Sequence, residues 1–243
     1  MDAYVDEFLS KVEPNFAELF ANPAGPDDFE LTYLPDDKKP LVDQENYARN
    51  VDSVAYITIE DEFGDVYTGA GTILTANGLI LTNHHVLDGA QKVVVTTLEQ
   101  GNFAVEQVIA SDRLLDIAFI KIDAQDLTPL AIGDSDSVAV GDKTLVIGHP
   151  ESFLHSLSLG NVGGLRTYET SDRPQLQITN PISEGSSGGA VLNEYGELIG
   201  IPTWFLDYED NIVQVQNLNF AIPINEAVAM LRGEEVEESE ILK

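Results

Sequence analysis

The sequence has no cysteine among its 243 residues. That excludes disulfides, a thiolate nucleophile and cysteine-ligated zinc, and it fits a reducing compartment. Basic residues are scarce: 12 Lys and Arg stand against 42 Asp and Glu, for a formal charge of −30. Phosphate backbones and anionic lipid surfaces are bound through clustered Lys and Arg, so neither nucleic acid nor a membrane is expected as a partner. The acidity itself has two readings, a solvated surface or adaptation to high salt, where screening relieves self-repulsion. No apolar run approaches the roughly 18 residues of a membrane-spanning helix. The start, "MDAYVDEFLSKVEP", carries acids where an export signal has a basic flank and an apolar stretch. It reads as no signal, and a cytoplasmic protein is expected. H-E-x-x-H, Walker and dinucleotide motifs are missing, and "GDSDSVAVGD" (133–142) lacks the glycine and terminal glutamate of a calcium loop. No metal and no cofactor are expected.

What is present is a chain 43% hydrophobic, enough to build a substantial core. Tyr4, Val5, Phe8, Leu9, Val12, Phe16, Leu19 and Phe20 recur at helical spacing, with Pro14 either kinking the segment or beginning a second helix. Residues 21–50 hold several prolines and many acids and read as an extended connector. From about 51 the texture changes to short runs of β-formers separated by turn signals, among them "SVAYITIE", "GLILTNHHVL", "KVVVTTLE", "LDIAFIKI", "KTLVIGHP", "LSLGNVGGL", "QLQITN", "AVLNEYGELIGI" and "LNFAIPI". Many short strands with few helices predict an all-β barrel or sandwich. The exception is "INEAVAMLR", where Ile224, Ala227, Val228 and Leu231 share a helical face and Asn225 suits an N-cap. The organisation expected is an N-terminal segment (1–50), a domain over 51–232 with two barrels at about 51–130 and 131–225, and an acidic tail (233–243).

Three residue groups carry candidate chemistry. "GSSGG", residues 185–189, places two serines in a glycine cluster that feeds a β-hairpin, where backbone must approach something closely. Alone, it is either a structural or a catalytic turn. His84 and His85 end a strand, where a base would face a cleft, or where two surface histidines would simply sit. Asp116 enters a run of buried β-formers, where an unpaired charge is costly and a histidine N–H or a turn backbone would satisfy it.

Together they fall in the order His, Asp, Ser, each inside a longer motif. "TGAGTILTANGLILTNHHVL", "DIAFIKI", "VIGHP", "GSSGGAVLNEYGELIGI" and "NFAIP" resemble, piece by piece and in order, the protease domain of the HtrA (Deg) serine peptidases, over roughly residues 51–225. The resemblance implies a chymotrypsin-like fold of two six-stranded β-barrels with the active site between them. Matched to the family's T-N-x-H-V, D-I-A and G-N-S-G-G patterns, it implies His85 as the base, Asp116 as the acid that orients it, and Ser187 as the nucleophile. Ser186 stands in the place of an asparagine. The backbone N–H groups of Gly185 and Ser187 would form the oxyanion hole. His149 lies where the family often has asparagine, and a structural hydrogen bond is its plain reading.

The implied activity is a serine endopeptidase acting on protein or peptide substrates through an acyl-enzyme. The alternative is a catalytically silent binding module on the same fold. Pro181 and Ile182, Thr203, Trp204 and Phe205, and Asn219 match the family's substrate pocket. With no aspartate at its floor, cleavage is expected after small or medium aliphatic residues, in unfolded or flexible chains that can lie extended in the cleft. No PDZ domain of the family's kind is expected after "NFAIP". The aromatic face of residues 4–20 is expected either to build a homotrimer or to cap the barrels.

Overall fold

The structure is a computed structural model and describes residues 3–25, 29–167, 174–203 and 219–234. Its first half is a closed barrel of β1 (Val54–Asp61), β2 (Val66–Ile73), β3 (Leu79–Thr82), β4 (Ala90–Thr97), β5 (Gly101–Asp112) and β6 (Ile117–Ile122), joined in the order β1-β2-β3-β6-β5-β4. The second closes as β10-β11-β12-β9-β8-β7, from β7 (Lys143–Gly148), β8 (Ser156–Thr167), β9 (Pro174–Ile178), β10 (Ala190–Leu192), β11 (Leu198–Thr203) and β12 (Asn219–Pro223). Every strand pair is antiparallel, so the two-barrel, all-β expectation is borne out.

Alternation decides which side chains fill each barrel, because a period of two sends successive residues to opposite faces. In the first barrel Ile57, Ile59, Ile80, Val93, Val95, Ile120 and Ile122 turn inward as one cluster. In the second, Val146, Leu176, Ile178, Val191, Ile199 and Ala221 do the same. The outward faces are apolar as well where the barrels meet. Leu79, Leu81, Ile117 and Phe119 of the first pack with Leu145, Ile147, Leu192 and Leu198 of the second in a further buried cluster. That shared layer holds the cleft between the barrels in fixed geometry.

The N-terminal segment forms α1 (Ala3–Leu9) and α2 (Phe16–Ala21), broken around Pro14. Both lie on β4, and α2 also meets β5. Phe16 is almost fully buried within the first barrel's cluster, with Leu19 and Phe20 beside it. Burying one such phenylalanine contributes about 1.5–3 kcal/mol, which makes the aromatic face a barrel cap within the single chain.

The connector departs from expectation. Its first part is extended, with Ala24 and Gly25 N–H bonded to β5 and Thr32 bridged to Ala131, but Asp43–Asn50 form a helix, α3. Tertiary contacts hold it: Asn46 donates to the Asn193 carbonyl (2.9 Å), the Tyr47 hydroxyl donates to the His155 carbonyl (2.7 Å), and Asp43 pairs with Lys143. The C-terminal helix α5 (Ile224–Leu231) forms as expected, one residue earlier than its expected cap. Pro223 precedes it, and Asn225 lies inside the first turn, donating to Asp134 (2.9 Å). The N–H of Asn225 is satisfied by Ser135 Oγ (3.1 Å).

Candidate active site

His85 was expected at a strand end. The strand stops at Thr82, and His84–Leu87 form a single helical turn, α4, at the barrel's edge. His85 is thereby exposed toward the cleft while its backbone stays fixed. Asp116 reaches it from the start of β6. His85 Nδ1 lies 2.8 and 2.9 Å from the two Asp116 carboxylate oxygens, and the His85 backbone N–H donates to Oδ1 (2.9 Å). A carboxylate can only accept, so the imidazole proton sits on Nδ1 and Nε2 is left with its lone pair, as a general base requires.

Asp116 is in turn over-determined. Its φ is +56°, a left-handed conformation uncommon outside glycine, and Asn83 Nδ2 holds both its carbonyl (2.9 Å) and its Oδ2 (3.1 Å). Thr203, from β11 of the other barrel, donates its hydroxyl to Oδ2 at 2.8 Å. The carboxylate is therefore shared by both barrels.

The serine-bearing loop is built from backbone. Gly185 has φ +88°, and a Cβ there would come within 2.5 Å of the His149 carbonyl. Gly188 has φ +81°, and a Cβ would come within 2.2 Å of the Ala70 carbonyl and 2.3 Å of Thr82 Oγ1. Only glycine fits at either position. The close approach at Gly188 docks the loop onto the first barrel: Ala70 N–H donates to the Ser187 carbonyl (2.9 Å), and Thr82 Oγ1 donates to the Ala70 carbonyl (2.7 Å). Gly188 N–H donates to the Pro202 carbonyl (3.3 Å), one residue before the threonine that holds Asp116. Ser187 thus sits between two hydrogen-bonded rails that lead to His85 and to Asp116.

The two serines differ. Ser186 is buried, its Oγ accepting from Ser183 N–H (3.4 Å), whereas Ser187 is partly exposed. Among the described residues no hydrogen bond joins Ser187 to His85, a pair that tightens only once substrate is bound in many such sites. The Glu184 carbonyl accepts from Glu151 N–H (2.8 Å), and the trans peptide then turns the Gly185 N–H to the opposite side.

Among the described residues, those expected to form a substrate pocket make different contacts. Pro181 and Ile182 line a cavity of about 440 Å³ with Val146, Pro150, Leu157 and Leu159. Thr203 points its hydroxyl at Asp116, and Asn219 Nδ2 donates to the Asn180 carbonyl (2.6 Å). Trp204 and Phe205 lie outside the described residues. Sequence reasoning missed Asn83, although it stands in the quoted "TNHH". It also missed Asn180, fully buried at the root of the loop, which accepts from Thr144 Oγ1 (2.6 Å) and donates to the Ser158 carbonyl (2.9 Å). Among the described residues, no group of three or more His, Asp or Glu is arranged to hold a metal ion.

Known proteins are similar to this chain. Residues 69–201 match the family model of the trypsin-like peptidase domain. The chain is 35% identical over 184 residues to serine endoprotease DegS of Haemophilus influenzae, covering 74% of this chain and 54% of that protein. It is 37% identical over 170 residues to the putative serine protease HhoA of Synechocystis, covering 67% and 41%. A solved HtrA-type protease, AlgW with a tripeptide, superposes with a TM-score of 0.72 at 28% identity, over 79% of this chain and 63% of that one. The chain spans about a third to a half of the length of the curated relatives it matches. The expectation of a cytoplasmic protein is overturned, since relatives from Pseudomonas savastanoi and Halomonas elongata, 35% and 33% identical, are named periplasmic endoproteases. That expectation rested on the first residues and on the lack of cysteine, and neither specifies a compartment. The matched segment runs from β2 to β11 and so spans Asp116, both histidines and both serines, and the chain belongs to the trypsin-like peptidase domain family.

Proposed function

We propose that this chain is a serine endopeptidase of the HtrA kind, with Ser187 as nucleophile, His85 as general base and Asp116 as the group that orients the base. The observation that carries the reading is the Asp116 carboxylate against His85 Nδ1, which leaves Nε2 basic on the side of the cleft. Ser187 Oγ attacks the substrate carbonyl as its proton passes to His85 Nε2, and the Gly185 and Ser187 N–H groups stabilise the oxyanion. His85 then protonates the leaving amine, and water, deprotonated by the same imidazole, releases the acyl group. Asp116 stabilises the imidazolium throughout.

Substrates are protein or peptide chains, in line with the tripeptide bound to the HtrA-type neighbour. Pro181 and Ile182 bring apolar surface and no charge beside the nucleophile loop, which favours a small or medium aliphatic residue before the cut and a flexible stretch around it. The names of the relatives favour an extracytoplasmic compartment for this chain too.

One observation favours the alternative, a silent binding module: the Ser187–His85 hydrogen bond is not closed among the described residues. A fluorophosphonate probe decides between the two. A peptidase labels at Ser187 and cuts a denatured protein, with mass spectrometry showing Val, Ala, Ile or Leu before the scissile bonds. A folded chain that neither labels nor cuts is the silent module.

A further inference from the structure

Behind the serine loop lies a pair of histidines that the mechanism does not use. His149 directly follows β7 and is fully buried. Its Nδ1 lies 3.0 Å from the backbone N–H of His155, and its ring meets the His155 ring edge-on, with centroids 4.7 Å apart. A backbone N–H can only donate, so Nδ1 must be an unprotonated acceptor and the ring must be the neutral Nε2–H tautomer. This bond closes the turn from 149 to 155, in which Glu151 and His155 both have positive φ (+51° and +54°). The same turn carries the Glu151 N–H that holds the Glu184 carbonyl, and the His149 carbonyl is the atom that forbids a side chain at Gly185.

Resting on the peptidase reading above, we propose that His149 is a positioning residue for the oxyanion loop: as a neutral acceptor it locks the 149–155 turn, and the turn sets the direction of the Gly185 N–H. The groups around it fit that role. The Tyr56 ring of β1 lies edge-on at 5.2 Å, and the Ala55 carbonyl faces the ring without closing a hydrogen bond to the otherwise unpartnered Nε2. His155 meets the Val54 carbonyl through Nε2 (3.2 Å), feels the Asp52 carboxylate, and has its own carbonyl held by Tyr47 of α3. Burial first, and the neighbouring His155 second, push His149 down to about 3, so it stays neutral at neutral pH. Protonation would set a donor against the His155 N–H and open the turn.

The test compares two variants of the full chain at pH 7.5. In His149→Asn the amide oxygen stands near the place of Nδ1, and kcat should stay within about threefold of the parent. In His149→Leu the ring's space is filled without an acceptor. There kcat and the rate of fluorophosphonate labelling should fall together by about 10–100-fold with KM within threefold, well below the unfolding midpoint. This is a part of the 10²–10³ that deleting an oxyanion donor costs. A merely structural residue would lower the midpoint and leave kcat per folded molecule unchanged, and that result overturns the proposal. If the leucine variant does not fold, His149→Ala is read in the same way. Independently, imidazole ¹⁵N spectra of the parent should show His149 protonated on Nε2 alone; a proton on Nδ1 overturns the proposal too. A parent chain that fails to label defeats the peptidase reading instead, which keeps the two failures apart.

Discussion

The two halves of the site are made in different ways. On the first barrel, the His85–Asp116 half is a lattice of side-chain hydrogen bonds: Asn83, His85 and Thr203 all converge on one aspartate. On the second, the Ser187 half is a stretch of backbone folded through glycines with positive φ and held by peptide groups of Ala70, Glu151 and Pro202. The difference follows from the chemistry proposed for each. A base needs one tautomer and one orientation, which side-chain partners fix. An oxyanion site needs N–H groups aimed at a point in space, which a main chain folded through glycines can supply. The first half should therefore fail through loss of a functional group, and the second through loss of a conformation.

The sharpest way to break the comparison is at the two adjacent histidines. His85→Ala should lower kcat by about 10⁶, as removal of the histidine of such a unit does. His84→Ala should cost far less. Its Nδ1 contacts Ser111 Oγ (2.8 Å) and its ring packs on Phe20 of α2 (5.1 Å), so it joins the N-terminal cap to α4 and touches none of the reacting groups. Steady-state kinetics on both, with circular dichroism to show the fold intact, separates them. Equal losses would mean that the lattice, and not one imidazole, is what the first half contributes.

Much of this was legible in the sequence because the features are local. Alternating β-formers mark the strands, and the His85, Asp116 and Ser187 motifs are contiguous patterns. What escaped was set by distant partners. The helix at 43–50 has no apolar stripe, and its bonds run to Asn193 and His155, more than a hundred residues on. Thr203 and Asn219 were read as pocket walls because their motifs sit beside the substrate in the resembling family. What the motifs do not show is that their polar atoms also bond Asp116 and Asn180, 87 and 39 residues away. A polar side chain in a barrel takes the nearest unsatisfied partner, and spacing along the chain does not reveal which that is.

A smaller effect should appear on the second half when pH falls. His149 is pushed down to about 3 in the folded chain, against 6.5 when exposed. Below pH 6.5 the unfolded chain takes up a proton that the folded chain refuses. The stability contributed by neutral His149 is therefore complete above about pH 6.5 and is lost as pH falls toward 3. At about 1.4 kcal/mol per unit, the loss from pH 7 to pH 4 is on the order of 3 kcal/mol. Urea unfolding of the parent and of His149→Asn at both pH values isolates it, because carboxylates titrate alike in the two proteins. Parallel pH dependence in both would show that the histidine is not held neutral by the fold, and the second half would lose that titrating element.

The mildest perturbation lies where the halves meet. Thr203→Val keeps the shape of a buried side chain and deletes one hydroxyl, the donor that reaches from β11 to Asp116 Oδ2 at 2.8 Å. The carboxylate keeps His85 N–H, His85 Nδ1 and Asn83 Nδ2, so it stays in place. What it loses is one donor to a charged acceptor, a bond worth about 1.5–3 kcal/mol when made. Water reaching the rim of the cleft should offset part of that, since the Asp116 side chain is 17% exposed. The expected outcome is a fall in kcat of about tenfold, with KM nearly unchanged, because the imidazolium is less well stabilised only when it forms in the transition state. The thermal midpoint should drop by a few degrees, on the scale of about 1 kcal/mol for a domain of this size. A loss approaching that of His85→Ala would place Thr203 among the groups the chemistry requires. An unchanged kcat would show that the first barrel holds its acid and base without help from the second.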